Sequence, residues 1–216
     1  MVRPKVPLIS RRKAMEDALK IVDTEGLDAL SIRRLGEELK VNGASLYHHF
    51  KNKDEILVGV TQLALAEVVA PRTEGESWQT WLPLNAYRTR EALVSHPELI
   101  PIMLRRAPLG IGVAEVESSV ERLIGEGLPL SMILPLMESL ELLAITSALQ
   151  EIGPPRAPSS PKALESLTPN LDAARKARGM SSSELFEVMA NSMISVISGA
   201  IQLKETRRAA KRMSRV

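Results

Sequence analysis

The sequence predicts an all-α protein: an N-terminal helix-turn-helix head of three helices, joined by a fourth helix to a larger helical bundle. Three observations predict it. Apolar residues recur at helical three-to-four-residue spacing along most of the chain, and capping residues stand where those stripes begin. No segment shows convincing period-two alternation, and the Asn42-Gly43 pair, a hairpin signal elsewhere, has a predicted helix on each side. No repeat of 20 to 50 residues competes with this layout.

Ser10 can cap a first helix over about residues 10–25, with Met15, Ala18, Leu19 and Val22 on one inward stripe and Gly26 to end it. Leu27 and Leu30 bridge to a second helix capped by Ser31, with Leu35 and Leu39 inward and Arg33 and Arg34 outward. Val41, Asn42 and Gly43 make a tight connection. Asn42 then caps a third helix whose Leu46 and Phe50 point inward, while Gly43, Ala44, Ser45 and His48 lie toward the opposite face. Asn52 followed by Glu55 reads as a capping box that starts a fourth helix, about 53–69, with Ile56, Leu57, Val60, Leu63 and Ala64 inward.

The stretch PRTEGES, 71–77, breaks the pattern. Beyond it the spacing predicts helices at about 78–95, 97–106, 113–125 and 131–152. The segment GPPRAPSSPKALESLTPN, 153–170, holds five prolines, so it reads as a loop or at most a short helix. A Ser181-to-Glu184 capping box opens a final helix running to about residue 210. The expected domains are a head at 1–52 and a body at 53–216, with the fourth helix as connector. Residues 132–149 and 185–203 are apolar on more than one face, which predicts a symmetric homodimer through a four-helix interface.

Composition narrows the function. Over 216 residues, 44% hydrophobic and 25% charged residues match an ordinary globular chain. With no cysteine there is no disulfide framework, thiolate nucleophile or cysteine-ligated zinc, and a reducing cytoplasm is expected. The N-terminal MVRPKVPLISRRK lacks the apolar core of a signal peptide, and no run nears 18 uninterrupted apolar residues, so no membrane contact is expected. The net charge of +2 divides into +4 over 1–53, +5 over 203–216 and −7 between them. A basic head on an acidic body predicts a localised contact with a polyanion. The basic tail reads as a solvated helix end.

Two of the three histidines and two of the six aromatic residues fall in NGASLYHHF, 42–50. His48 and His49 are adjacent, so on a helix their side chains diverge by about 100° and cannot share a metal as i, i+4 histidines do. There is no GxSxG elbow, GxxxxGK[ST] loop or GxGxxG, and Gly110, Gly112, Gly125 and Gly127 read as turn glycines. No catalytic residue, metal or cofactor is expected. Double-stranded DNA explains the same residues better. At the tip of a recognition helix Gly43 and Ala44 permit close approach, Ser45 can meet base edges, and His48 can reach a base or a phosphate. Tyr47, His49, Lys51 and Lys53 offer donors to phosphate oxygens.

The segment DALSIRRLGEELKVNGASLYHHFKNKDEIL resembles the DNA-binding region of TetR-family transcriptional regulators, through Leu-Tyr-x-His-Phe at 46–50 and Lys-Asp-Glu at 53–55. The match covers about residues 10–65. It implies base contact by Arg33, Gly43, Ala44, Ser45 and His48, and phosphate contact by Ser31, Tyr47, His49 and Lys53, with Asn42 at the tip. It also implies a homodimer that represses transcription until a small molecule binds its C-terminal body. The body is similar, more weakly, to the C-terminal domain of tetracycline repressors, through GESWQTWLPLNAYRTREALVSH, LRRAP and VESSVERLIGEGLPL. Asn85 falls where those repressors place a drug-contacting asparagine. Met103 stands where a histidine would bind the drug's magnesium, and Gln150 replaces an acidic residue of that metal shell. The expected pocket is therefore soft and apolar, lined by Met103, Leu104, Met137 and Leu140, with Asn85, Thr89 and Arg106 as polar contacts for a hydrophobic effector. A DNA-binding regulator without any effector is the alternative.

Overall fold

Each predicted cap is made, and each sets where a helix begins. The structure, a computed structural model, describes residues 10–66, 75–153 and 169–213. The Ser10 hydroxyl accepts from the Lys13 N–H and opens α1, Arg11–Glu25. Ser31 does the same for α2, Ile32–Leu39, through the Arg34 N–H. The Asn42 side chain accepts from the Ala44 N–H and opens α3, Gly43–Leu46. Asn52 accepts from the Glu55 N–H ahead of α4, Lys53–Ala66, while the Glu55 carboxylate receives the Lys51 N–H. Gly36 lets α2 meet the following turn, since a Cβ there would stand 3.1 Å from the Val41 carbonyl oxygen.

The body continues with α5, Trp78–Ser95, a 3₁₀ turn at Pro97–Leu99, α6, Ile100–Leu104, α7, Val113–Gly125, and α8, Leu130–Ile152. A short α9, Pro169–Lys176, precedes α10, Ser182–Met213, whose capping box is complete: Glu184 N–H to the Ser181 hydroxyl and Ser181 N–H to the Glu184 carboxylate. All regular structure among the described residues is helical.

Four expectations need correction. The α1 face that is fully buried carries Ala14, Ala18, Ile21 and Val22, with Met15 and Leu19 on its flank, because the helix sits rotated toward its small residues. Arg34 does not point outward: it pairs with Glu25 at 2.5 Å and Glu38 at 2.9 Å. The helix expected over 97–106 is a 3₁₀ turn plus five residues of α-helix, as Pro97 and Pro101 remove two amide donors. Finally, α9 was hidden by its own start signal, since Pro169 sits in a helix's first turn, where proline is tolerated. Residues 67–69 of the expected fourth helix, 154–168 of the proline-rich segment and most side chains of the basic tail lie outside the described residues.

Two hydrophobic clusters hold the molecule together. The first starts in the head with Leu35, Leu46 and Phe50, crosses α4 at Ile56, Leu57, Val60 and Ala64, and continues into Leu99, Ile100, Ile102, Met103, Ile145 and Ala148. Head and body thus share one core. The second lies within the body, around Trp81, Leu123, Leu136, Leu140 and Phe186. Arg90, fully buried on α5, ties three helices: its Nε donates to the Ser147 hydroxyl at 2.8 Å, and its other nitrogens meet Glu91, Glu151 and the Ser182 hydroxyl.

Leu130–Ile152 and Ser182–Leu203 are each long and apolar enough to cross a membrane, although acidic residues keep any uninterrupted run short. The first is packed against α5 and α10 and is 44% buried, whereas the second touches α5 and α8 along one side and is only 17% buried. What remains outward is an apolar face: Leu134, Leu142 and Leu149 on α8, with Val188, Met189, Val196 and Leu203 on α10.

Candidate nucleic-acid interface and ligand cavity

α3 is only four residues long, so its own hydrogen bonds cannot hold it in place. Leu46 and Phe50, both buried in the head core, do so. The opposite side is open. Arg33, whose side chain is 90% exposed, Asn42, Gly43, Ala44 and Tyr47, 61% exposed, line one surface groove with Ile32, Gly36 and Lys40. His48 is exposed beside it, and Ser45 and Ser31 are half-buried.

One expected phosphate donor is already engaged, and a second is partly covered. The Lys53 ammonium donates to the Leu27 carbonyl at 3.0 Å and so pins the turn between α1 and α2. The His49 ring is half-buried at 6.4 Å from the Phe50 ring, and its carbonyl accepts from Arg11 at 2.5 Å. Arg11 is the residue that sequence reasoning passed over. Its guanidinium lies 4.8 Å above the Phe50 ring and reaches Glu55 at 2.9 Å, bringing a second arginine to the α3 side of the head. The RRK run after Ser10 was the available signal. The Glu55 carboxyl is held below its ordinary range by the Lys51 N–H first and Arg11 second.

In the body a cavity of about 210 Å³ opens between α4, α5, α7 and α8. Gln62, Leu65 and Ala66 of α4 form one wall; Trp81, Leu82, Asn85, Ala86 and Thr89 of α5 form another. Met103, Leu109, Ile111, Glu115, Val116, Ser119, Met137, Leu140 and Glu141 complete it. Of the seven expected lining residues, Asn85, Thr89, Met103, Met137 and Leu140 are present. Leu104 and Arg106 are not among them. Leu104 ends a five-residue helix and is 55% exposed. Arg106 turns away to Asp54 at 2.6 Å, in a separate recess with Leu57, Ile102 and Arg105.

Asn85 donates to the Trp81 carbonyl at 3.1 Å, and the Thr89 hydroxyl to the Asn85 carbonyl at 3.0 Å, so both are positioned by their own helix. Glu141 was missed, although MILPLMESLELLAITSAL carries two acids, Glu138 and Glu141, and acids in so apolar a helix were the available signal. The Glu141 carboxylate accepts the Leu109 N–H at 2.6 Å. Burial pushes this carboxyl up, the Leu109 N–H opposes the shift, and Glu138 adds to it. Met103 presents a thioether, which a hard magnesium ion does not take as a ligand, and Gln150 is exposed away from the cavity. The lining does not fit a magnesium-bound drug held as the resemblance implies.

Comparison with known proteins gives a family description for each of the two parts of the chain. The family description "bacterial regulatory proteins, tetR family" matches residues 15–60, and "tetracyclin repressor-like, C-terminal domain" matches residues 70–198. The Escherichia coli tetracycline repressor protein class E is 27% identical over 136 residues, 62% of this chain and 64% of that protein. The chain spans about half to two thirds of the length of the curated relatives it matches. Among solved structures, the Streptomyces coelicolor TetR family protein ActR in complex with (S)-DNPA superposes with a TM-score of 0.73 at 29% identity, covering 90% of this chain and all of that one. ActR in complex with actinorhodin gives 0.70 at 28% identity, over 89% and 98%. These relatives are regulators, not enzymes.

Proposed function

The chain belongs to the TetR family of bacterial regulatory proteins, and from that premise we propose a cytoplasmic, ligand-responsive transcriptional repressor, released from a palindromic operator by a small, largely apolar molecule. One observation carries the link between ligand and DNA. The helix that enters the head core at Ile56 and Leu57 also walls the cavity at Gln62, Leu65 and Ala66.

Arg33, Gly43, Ala44, Ser45 and His48 face the bases, with Asn42 at the tip, while Ser31, Tyr47 and His49 face phosphates. Lys53 acts by fixing the turn at Leu27 as well as by its charge. Arg11 positions the segment after α3 through the His49 carbonyl, Glu55 and the Phe50 ring. The apolar face of α8 and α10 is buried against a second copy, which sets two α3 segments about 34–36 Å apart, one helical turn of DNA. The ligand, held by Asn85, Thr89, Met103, Met137 and Leu140, must bind the released arrangement more tightly, because equal affinity for both arrangements shifts nothing.

An operator selected from random duplexes, followed by anisotropy titrations, tests the first half. Arg33→Ala and Ser45→Ala should each cost about 1–3 kcal/mol on the selected sequence and flatten its preference. A thermal-shift screen of apolar compounds tests the second half. Compounds that stabilise the protein should release the operator; stabilisation with unchanged operator affinity would favour the regulator without an effector.

A further inference from the structure

We propose that the cavity selects an organic cation: a small apolar molecule whose protonated or quaternary nitrogen sits against Glu141. This deepens the reading of the cavity as the effector site and rests on it.

The first ground is the sign of the lining. Among the described residues around the cavity there are two carboxylates, Glu141 within and Glu115 at the exposed edge, and no lysine, arginine or histidine. Arg106 and Arg122 do not line it: one is paired with Asp54, the other lies 4.7 Å over the Trp81 ring and reaches Glu126. An anion entering here would give up its water beside two like charges. A cation gives up its water and gains a partner in a medium of low dielectric.

The second ground is the state of Glu141 itself. It is half-buried on α8, and one backbone N–H, from Leu109, is the hydrogen bond it receives from the loop before α7. A carboxylate offers about four lone-pair directions, so the single Leu109 N–H leaves acceptor capacity for a further partner. Burial and the nearby Glu138 both penalise its charge, and an incoming cation relieves that penalty.

The third ground is independent of charge. Trp81 is 5% exposed and its side chain forms part of the apolar wall of the cavity. The remaining walls, Leu82, Met103, Met137 and Leu140, supply apolar contact that adapts to a ring.

The test uses the full chain and three aryl ketones: phenacyltrimethylammonium, its neutral isostere neopentyl phenyl ketone, and the anion 3-benzoylpropionate. The first two share one shape and differ only in charge, and the third is an anion of similar size. Calorimetric titration should show the ammonium compound binding at least about tenfold tighter than the ketone, with the anion weakest. Glu141→Gln keeps an acceptor for the Leu109 N–H and should erase the preference while leaving ketone affinity within about twofold. Equal or tighter binding of the ketone overturns the proposal and leaves the cavity reading intact, as does a cation preference that survives in Glu141→Gln. No binding by any of the three overturns both. If Glu141→Gln does not fold, the order of the three compounds on the unaltered chain decides alone.

Discussion

Replacing Leu46 by alanine asks whether the recognition segment is held by its core contact or by its own helical propensity. Isolated helices under about 12 residues are marginal in water, and α3 has four residues. Its placement therefore depends on Leu46, which is completely buried among Leu35, Phe50 and Ile56. Removing three carbons forfeits about 2.4 kcal/mol at about 0.8 kcal/mol per buried methylene. The space left behind adds a cavity term that brings such changes to about 2.7–5 kcal/mol. A loss of about 3 kcal/mol is expected, a large part of the roughly 5–15 kcal/mol that stabilises an ordinary domain. Urea denaturation followed by circular dichroism measures it, with Leu46→Met as the volume-matched control, expected within about 1.5 kcal/mol. Operator affinity should fall with stability, since Gly43, Ala44 and Ser45 lose their fixed position. A change under about 1 kcal/mol with operator binding intact would refute the premise that packing rather than propensity places α3.

Three further outcomes follow from other contacts. Asn42→Ala leaves the Ala44 N–H without its cap acceptor and should cost about 1 kcal/mol by the same denaturation assay. Val196→Glu, at a position 72% exposed in the single chain, should leave the helical signal unchanged but halve the mass measured by light scattering, because the charge falls inside the proposed dimer face. Stability should also decline on acidification. Glu25, Glu55, Glu151 and Glu184 are held below the ordinary value of 4.5, by Arg34, the Lys51 N–H, Arg90 and the Ser181 N–H respectively. The unfolded chain therefore binds protons first, so the stability these groups lend is present above about pH 4.5 and is lost as pH falls through their lower folded values. Glu141, raised by burial, has the opposite sign: its share falls as pH rises from 4.5 through its folded value. Melting temperatures at stepped pH should show the acid-side decline dominating, shallower in Glu184→Gln.

The starts of the head helices were readable to the residue because their determinants are local. Ser10, Ser31, Asn42 and Asn52 each satisfy a backbone donor two or three positions on, a relation that sequence spacing states directly. Helical periodicity gave α5 and α7 for the same reason. The failures share the opposite cause. Whether Arg106 lines the cavity or reaches Asp54 depends on a residue 52 positions away. Leu104 left the pocket because proline shortened α6 upstream, and Arg34 turned inward because Glu25 happened to end α1 beside it. Trp81 and Glu141 belong to the cavity through the crossing of α5 and α8, and no spacing along either helix encodes that crossing. The resemblance to tetracycline repressors led to Asn85, Thr89 and Met103 but could not mark residues in which this cavity departs from that pattern.

The head does not swing on a free hinge. Leu57, Val60 and Ala64 share one core with Leu99, Ile102 and Met103, and polar ties edge it: Asp23 meets His96 at 2.9 Å, the Leu27 N–H reaches Glu98 at 3.2 Å, and Asp54 meets Arg106 at 2.6 Å. At 1.5 Å per residue, the 14 residues of α4 are about 21 Å long, and its head contacts at Ile56 and Leu57 stand roughly 8–15 Å along the axis from its cavity wall at Gln62, Leu65 and Ala66. A helix packed along that length moves as a unit or not at all, because close-packed cores have alternative arrangements rather than continuous ones. Taking a two-state protein from one arrangement to the other needs about 5.5 kcal/mol of differential affinity. Two cavities in a dimer divide this to about 2.7 kcal/mol each, equivalent at about 25 cal/mol per Å² to roughly 110 Å² of apolar surface buried in one arrangement and not in the other. A ligand with a single ring has that much surface, so the shared core that forbids a loose hinge still leaves the switch within reach of a small molecule.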